Sequence, residues 1–295
     1  LGTSDLKRKT LMFIMKGETY LRTMTQQKQL KDLNLLDRFL FASVMEDEEA
    51  LKLAVSIIMG GEVNFLQKNQ VEKEIRTQPW LRSIRLDVFN VDDSGRLYDA
   101  EVQEKNTGNL AKRSRFYQSL IDSSLLLPGR DVSFNDMTDV CLIMITPFDL
   151  FGYGRYQYTF RMQCEEEKTL CLNDGAVRIF LNTRGTNDEE TRPELVELLH
   201  YIENSTDETA GHCQSEKVKK LHQKVHEVKS SEEWGVRYMQ AWEEKIYLKQ
   251  EGREEGETRV SLLTRQLLKA RRYEDLERAA EDPAYRRELY REFGL

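Results

Sequence analysis

Little proline, little cysteine, no long apolar run and no surplus of basic residues set the first limits on this chain. Five prolines among 295 residues, with 39% hydrophobic and 32% charged residues, describe a charge-rich soluble globular protein, somewhat polar for its length. The four cysteines, Cys141, Cys164, Cys171 and Cys213, form no CxxC pair and no regular framework, so a reduced, cytosolic (cytoplasmic) compartment is the expectation. The longest early apolar run, LMFIM from Leu11 to Met15, is too short for a signal-peptide core or a membrane span. The formal net charge of -7 excludes a globally basic surface, so any contact with nucleic acid must be a local patch. No repeat of fixed period is present. What is there is length enough for one large domain and a smaller appendage.

Residues 1–29 are polar and basic without amphipathic period, and read as a poorly ordered tail. Met24 lies just before the first convincing element, as it would if the upstream segment came from a start set too early. LNLLDRFLFASVMED then reads as a helix, and Asp47 as the cap of a second, EEALKLAVSIIMG, which stops at Gly60-Gly61. A short helix is expected around Val71 to Arg76. Period two follows in RSIRLDVFNV and RLYDAEVQ, joined by Asp92-Asp93-Ser94-Gly95. NLAKRSRFYQSLIDSSLLLPG has helical spacing and closes at Pro128-Gly129. DVCLIMITPF reads as a buried central strand, YQYTFRMQC alternates, and TLCLNDGAVRIFLNT predicts two strands about a turn. After Pro193 the pattern is helical to the end, with a break expected at GREEGE, Gly252 to Glu257. The order predicts an α/β core with a helical C-terminal extension.

The hairpin RLDVFNVDDSGRLYDAEVQEK carries the chemistry. Alternation puts Ile84, Leu86, Val88, Tyr98, Ala100 and Val102 on an apolar face. The other face holds Arg85, Asp87, Phe89, Val91, Leu97, Asp99, Glu101 and Gln103, mixing acids with apolar residues that would themselves prefer cover. A three-residue loop Asp93-Ser94-Gly95 sets Asp87 opposite Glu101, whereas a four-residue loop would separate them. Facing carboxylates repel by up to about 1 kcal/mol. A divalent cation such as Mg2+ between them would relieve this, lower the pKa of a bound water and offset charge at a phosphorane-like transition state. The competing reading is a solvated face with Arg85 paired to either acid.

LKDLNLLDRFLF, IRTQPWLRSIRLDV, Glu101-Val102-Gln103, KRSRFYQSLIDSSLLLPG, TPFDLFGYGRYQYTFRM and GAVRIFLNTRGTND together resemble the PD-(D/E)XK nuclease family transposases, of the Rpn recombination-promoting nuclease group. The resemblance runs from about Leu30 to about Ser205. It implies a restriction-endonuclease-like fold, a central mixed sheet flanked by helices, and metal-dependent endonuclease cleavage of DNA. It divides the chain into the tail, a nuclease-like domain over 30–206 and a charged helical extension over 207–295. Carried over by position, Asp87 and Glu101 are the metal-ligating acids, the Val102 carbonyl a further ligand, and Gln103 stands where lysine is usual. Glutamine can hold a water or a phosphate oxygen but brings no charge.

Arg113 and Tyr117, one turn apart on the following helix, are candidates to hold the scissile phosphate, with Gln118 beside them. A solvated Lys112-Arg113-Arg115 face with Tyr117 partly in the core is the plainer reading. Asp37 could add an acid to the site or serve as a surface ion-pair residue. His222 and His226 are four apart, but with only His212 and Cys213 nearby in sequence they complete no zinc set. The aromatics Phe148, Phe151, Tyr153 and Tyr156 are read as packing and turning the chain. From Arg259 to Leu295, nine Lys/Arg and seven Asp/Glu favour an oligomerisation element, a dimer above all, over a DNA-contacting helix. The alternative to a nuclease is a catalytically weak DNA- or protein-binding module that keeps the fold.

Overall fold

The hairpin turn forms as its sequence demands. Gly95 takes φ 84, Gly95 N–H donates to the Asp92 carbonyl, and Asp92 N–H to the Arg96 carbonyl. The Asp92 carboxylate accepts from the backbone N–H of Ser94 and Arg96 and from the Tyr98 hydroxyl. This pairs Val91 with Leu97, Phe89 with Asp99 and Val88 with Ala100, the register the three-residue loop predicts.

The computed structural model describes residues 28–66, 70–75, 84–125 and 133–295, without the side chains of 84–86. Residues 1–27, the helix end at Pro128-Gly129 and the expected pairing of Arg85 lie outside the described residues. Six strands form one mixed sheet: β1 (Gln70–Ile75), β2 (Ile84–Val91), β3 (Leu97–Val102), β4 (Val140–Thr146), β5 (Gln157–Phe160) and β6 (Ala176–Asn182). The order is β1-β2-β3-β4-β6-β5. β3, β4 and β6 run parallel, while β1, β2 and β5 are antiparallel to their neighbours. β4 is buried at every residue, as its continuous apolar run requires.

Helices α1 (Arg38–Met45), α2 (Glu48–Met59), α3 (Leu110–Leu125), α4 (Pro193–Glu203), α5 (Asp207–His212) and α6 (Glu216–Ser230) accompany the sheet. Asp37 caps α1 by accepting from Phe39 and Leu40 N–H, so the helix starts there and not at Leu33. Asp47 caps α2, and Gly60 ends it at φ 75. A Cβ on Gly60 would stand 2.7 Å from the Arg192 guanidinium, which itself caps the Ile57 and Ile58 carbonyls. α3 supplies Leu110, Tyr117, Leu120 and Ile121 to a core with Phe89, Leu97, Leu142, Met144 and Phe180. Both faces of β3 are therefore covered, since it is buried at all its positions.

Four expectations change. The segment from Val71 is β1, not a helix, because its ladder to β2 outweighs helical propensity. TLCLN forms no strand; it contributes an isolated bridge, Gln163 to Cys171. GREEGE does not break the chain: α7 (Glu232–Lys269) runs through it. Two glycines cost a helix about 2 kcal/mol, and pairs four apart, Gln250 with Glu254 and Arg253 with Glu257, support the turn between them. Contacts also divide the chain after Trp234 and not at 206, since α6 packs on α1 and α2. The second unit, Gly235–Leu295, holds most of α7 with α8 (Tyr273–Glu281) and α9 (Pro283–Glu292). Its small core is Leu263, Leu267, Ala279 and Leu289.

Candidate active site

Beyond Val88 and Ala100 the two hairpin strands exchange side chains in place of a plain ladder. Asp87 N–H donates to Glu101 Oε1 at 3.0 Å, and Val102 N–H donates to Asp87 Oδ2 at 3.2 Å. Each acid thus accepts from the opposite strand's backbone, which holds both carboxylates on one face. Asp87 and Glu101 are each 1% exposed. Two arginines come to them from separate helices. Arg38 of α1 places Nε 2.5 Å from Asp87 Oδ1, and Arg113 of α3 places Nη2 2.9 Å from Glu101 Oε2.

Arg113 is the hub. Its Nη1 donates to Gln103 Oε1 at 2.7 Å and its Nε to Tyr117 Oη at 2.8 Å. Gln103 in turn donates through Nε2 to the Lys105 carbonyl at 2.8 Å. Asp87, Glu101, Gln103, Arg113 and Tyr117 are accordingly brought together. Gln118 turns its amide to Asp122 one turn on, and Asp37 spends its carboxylate on the α1 N-terminus. Val102 joins the site through its N–H.

Sequence reasoning passed over Arg38 and Asp99. Asp99 shares the parity of Asp87 and Glu101, the one signal available. It is fully buried, opposite Phe89 and Leu142, and neither carboxylate oxygen has a hydrogen-bond partner. Burial first, then the charge of Glu101, drives its pKa well above the usual carboxylate range. Burial lifts Glu101 to about 8, with the charge of Asp87 adding to it and Arg113 opposing. Asp87 rises to about 6, again by burial, with Arg38 opposing. Glu72, at φ 50 on the strand beside β2, adds to the negative charge felt by Asp87. Were all three acids ionised, the two arginines would leave the cluster short of positive charge.

Among the described residues no group of three or more His, Cys, Asp or Glu is arranged as a metal cage. His222 is engaged by the Tyr201 hydroxyl at Nδ1 and by Asp207 at Nε2. Phe151 packs on Tyr158, Phe160 and Phe180, and Asp149 pins its loop through the N–H of Phe151 and Gly154. Phe148 is half-buried, Tyr156 buried and Tyr153 exposed.

A mixed six-stranded sheet flanked by helices, with buried acids on a central hairpin and arginines aimed at them, defines an α/β fold of the nuclease-like class. The chain matches the model of the PD-(D/E)XK nuclease family transposases over residues 61–251, and it belongs to that family. No curated protein and no solved structure matches it. The matched span contains all six strands and α3, while Asp37 and Arg38 precede it. No described helix is long and apolar enough to cross a membrane.

Proposed function

We infer that the chain is a divalent-metal-dependent DNA endonuclease, hydrolysing phosphodiester bonds in recombination or the movement of mobile DNA. The observation that carries this reading is the buried Asp87–Glu101 pair, held on one face by reciprocal backbone bonds in a chain of this family. The donor set suits a hard cation such as Mg2+. The four oxygens of the pair each have one protein partner, and a carboxylate oxygen keeps a second lone pair for another. Burial raises the pKa of both groups by penalising their charged forms, a cost that a bound cation would offset. Asp87, Glu101 and the Val102 carbonyl would hold the metal. When bound it supplies Lewis-acid activation of water and neutralises charge on phosphate oxygens.

The chain's own residues do the rest. Arg113 reaches the phosphate from α3, Tyr117 braces it, and Arg38 balances Asp87 until the cation takes over that role. The core around Leu142, Met144 and Tyr117 keeps bulk water from the floor of the site. The free cysteines fit a reduced cytoplasm. Exposed Tyr247, Leu248, Val260 and Leu268 together with mixed charge fit a homo-oligomer built through the C-terminal unit.

The second reading, a weakly catalytic binding module, draws on Gln103 and on the arginines already seated on both acids. Purified protein with supercoiled plasmid separates the two. The nuclease reading expects nicked or linear DNA with Mg2+ and none in EDTA. Plasmid left intact under both conditions contradicts it.

A further inference from the structure

Position 103 is neutral beside three buried carboxyl groups that share two arginines, and Arg113 is bonded to it. The Arg113 side chain is held from three directions, by Tyr117 on Nε, Gln103 on Nη1 and Glu101 on Nη2. These three bonds leave one N–H on each terminal nitrogen, and the side chain is 29% exposed. The amide of Gln103 is itself oriented: Nε2 bonds the Lys105 carbonyl, which turns Oε1 onto Arg113.

We propose that Gln103 is a positioning residue whose task is to present Arg113, and that Arg113 supplies from α3 the positive charge that position 103 does not. The inference rests on the nuclease reading and deepens it. Chemistry fixes the residue type. A lysine at 103 has donors and no acceptor, so it would strand Arg113 Nη1 and set a second cation against it. A glutamate would accept the bond but add another carboxylate beside Asp87, Asp99 and Glu101. Only a neutral acceptor satisfies both neighbours.

The test is a charge swap read in two ways on the full chain. Plasmid cleavage with Mg2+ is measured for wild type, Gln103→Lys, Arg113→Gln and the double variant Gln103→Lys/Arg113→Gln. Each single variant should lose about ten-fold or more in turnover, the order of one preorganised electrostatic contact. The double variant, with one cation and one neutral acceptor again, should cut faster than Gln103→Lys. Thermal unfolding in EDTA supplies the arm independent of activity. There the midpoint losses of the singles should not add, because the double variant recovers part of them. Gln103→Lys cutting as fast as wild type or faster overturns the proposal, as do strictly additive unfolding shifts. A wild type that cuts nothing sinks the nuclease reading instead, and the unfolding arm still judges the Gln103–Arg113 pairing.

Discussion

Asp87 and Glu101 show how a residue can be held in place at the expense of its charge. Folding raises Glu101 from an ordinary 4.5 to about 8 and Asp87 from 3.8 to about 6, in both cases by burial first. A carboxyl whose pKa rises on folding takes up its proton as the chain folds. The stability it contributes is full below the ordinary value and is lost as pH rises towards the raised one. Metal-free protein should therefore become less stable as pH rises from about 4 to about 8, with Asp87 contributing up to about pH 6 and Glu101 up to about pH 8, each by on the order of 1 kcal/mol per pH unit within its own window. Urea unfolding across that range checks this, and Glu101→Gln should flatten the upper part of the slope. A flat profile would show that both acids fold ionised. The shared face was legible in the sequence from parity, and the register was legible as one of two alternatives, of which the structure takes the three-residue loop. Arg38 and the burial of Asp99 were not, because each depends on a helix distant in the chain or on the cover given by α3.

Elements follow local chemistry where caps and glycines speak clearly. Asp47 both caps α2 and meets Lys224 of α6 at 2.9 Å. Asp47→Ala should lower stability by about 1–2 kcal/mol, most of it from the cap, since the ion pair is partly exposed. Chemical denaturation measures it, and an unchanged midpoint would deny the cap its role. Misreadings cluster where tertiary partners decide. Val71 to Ile75 alternates too weakly to be distinguished from a helix until β2 pairs with it. Gly252 and Gly256 imitate a break, yet each would meet nothing within 4 Å as alanine. Gly252→Ala with Gly256→Ala should thus stabilise α7 by about 1 kcal/mol per site, read as greater helical circular dichroism at elevated temperature. Loss of helical signal would mean that the segment bends there.

At the scale of the whole molecule the chain divides into two compact units of unequal size. The sheet and its helices end by Trp234, and the C-terminal unit rests on Leu263, Leu267, Ala279 and Leu289. Leu267 is fully buried, so Leu267→Ala should cost about 2–4 kcal/mol in that small unit. If the unit builds the oligomer, light scattering should show a lower particle mass for this variant; an unchanged mass counts against that role. The α/β class was legible from the order of periodicities, and the family from motifs spread over the sheet. The boundary after Trp234 was not, because α5 and α6 are as charged in sequence as the extension that follows, and only their packing on α2 and α4 assigns them to the sheet. The central claim remains that the hairpin acids of this unit break DNA. Its most direct measurement is the Mg2+-dependent cleavage rate of supercoiled plasmid by wild type, Asp87→Asn and Glu101→Gln, with each variant's folding verified by circular dichroism. The proposed function predicts cutting by wild type and at least a hundred-fold loss, about 2.7 kcal/mol, in either folded variant; folded variants that cut at the wild-type rate would contradict it.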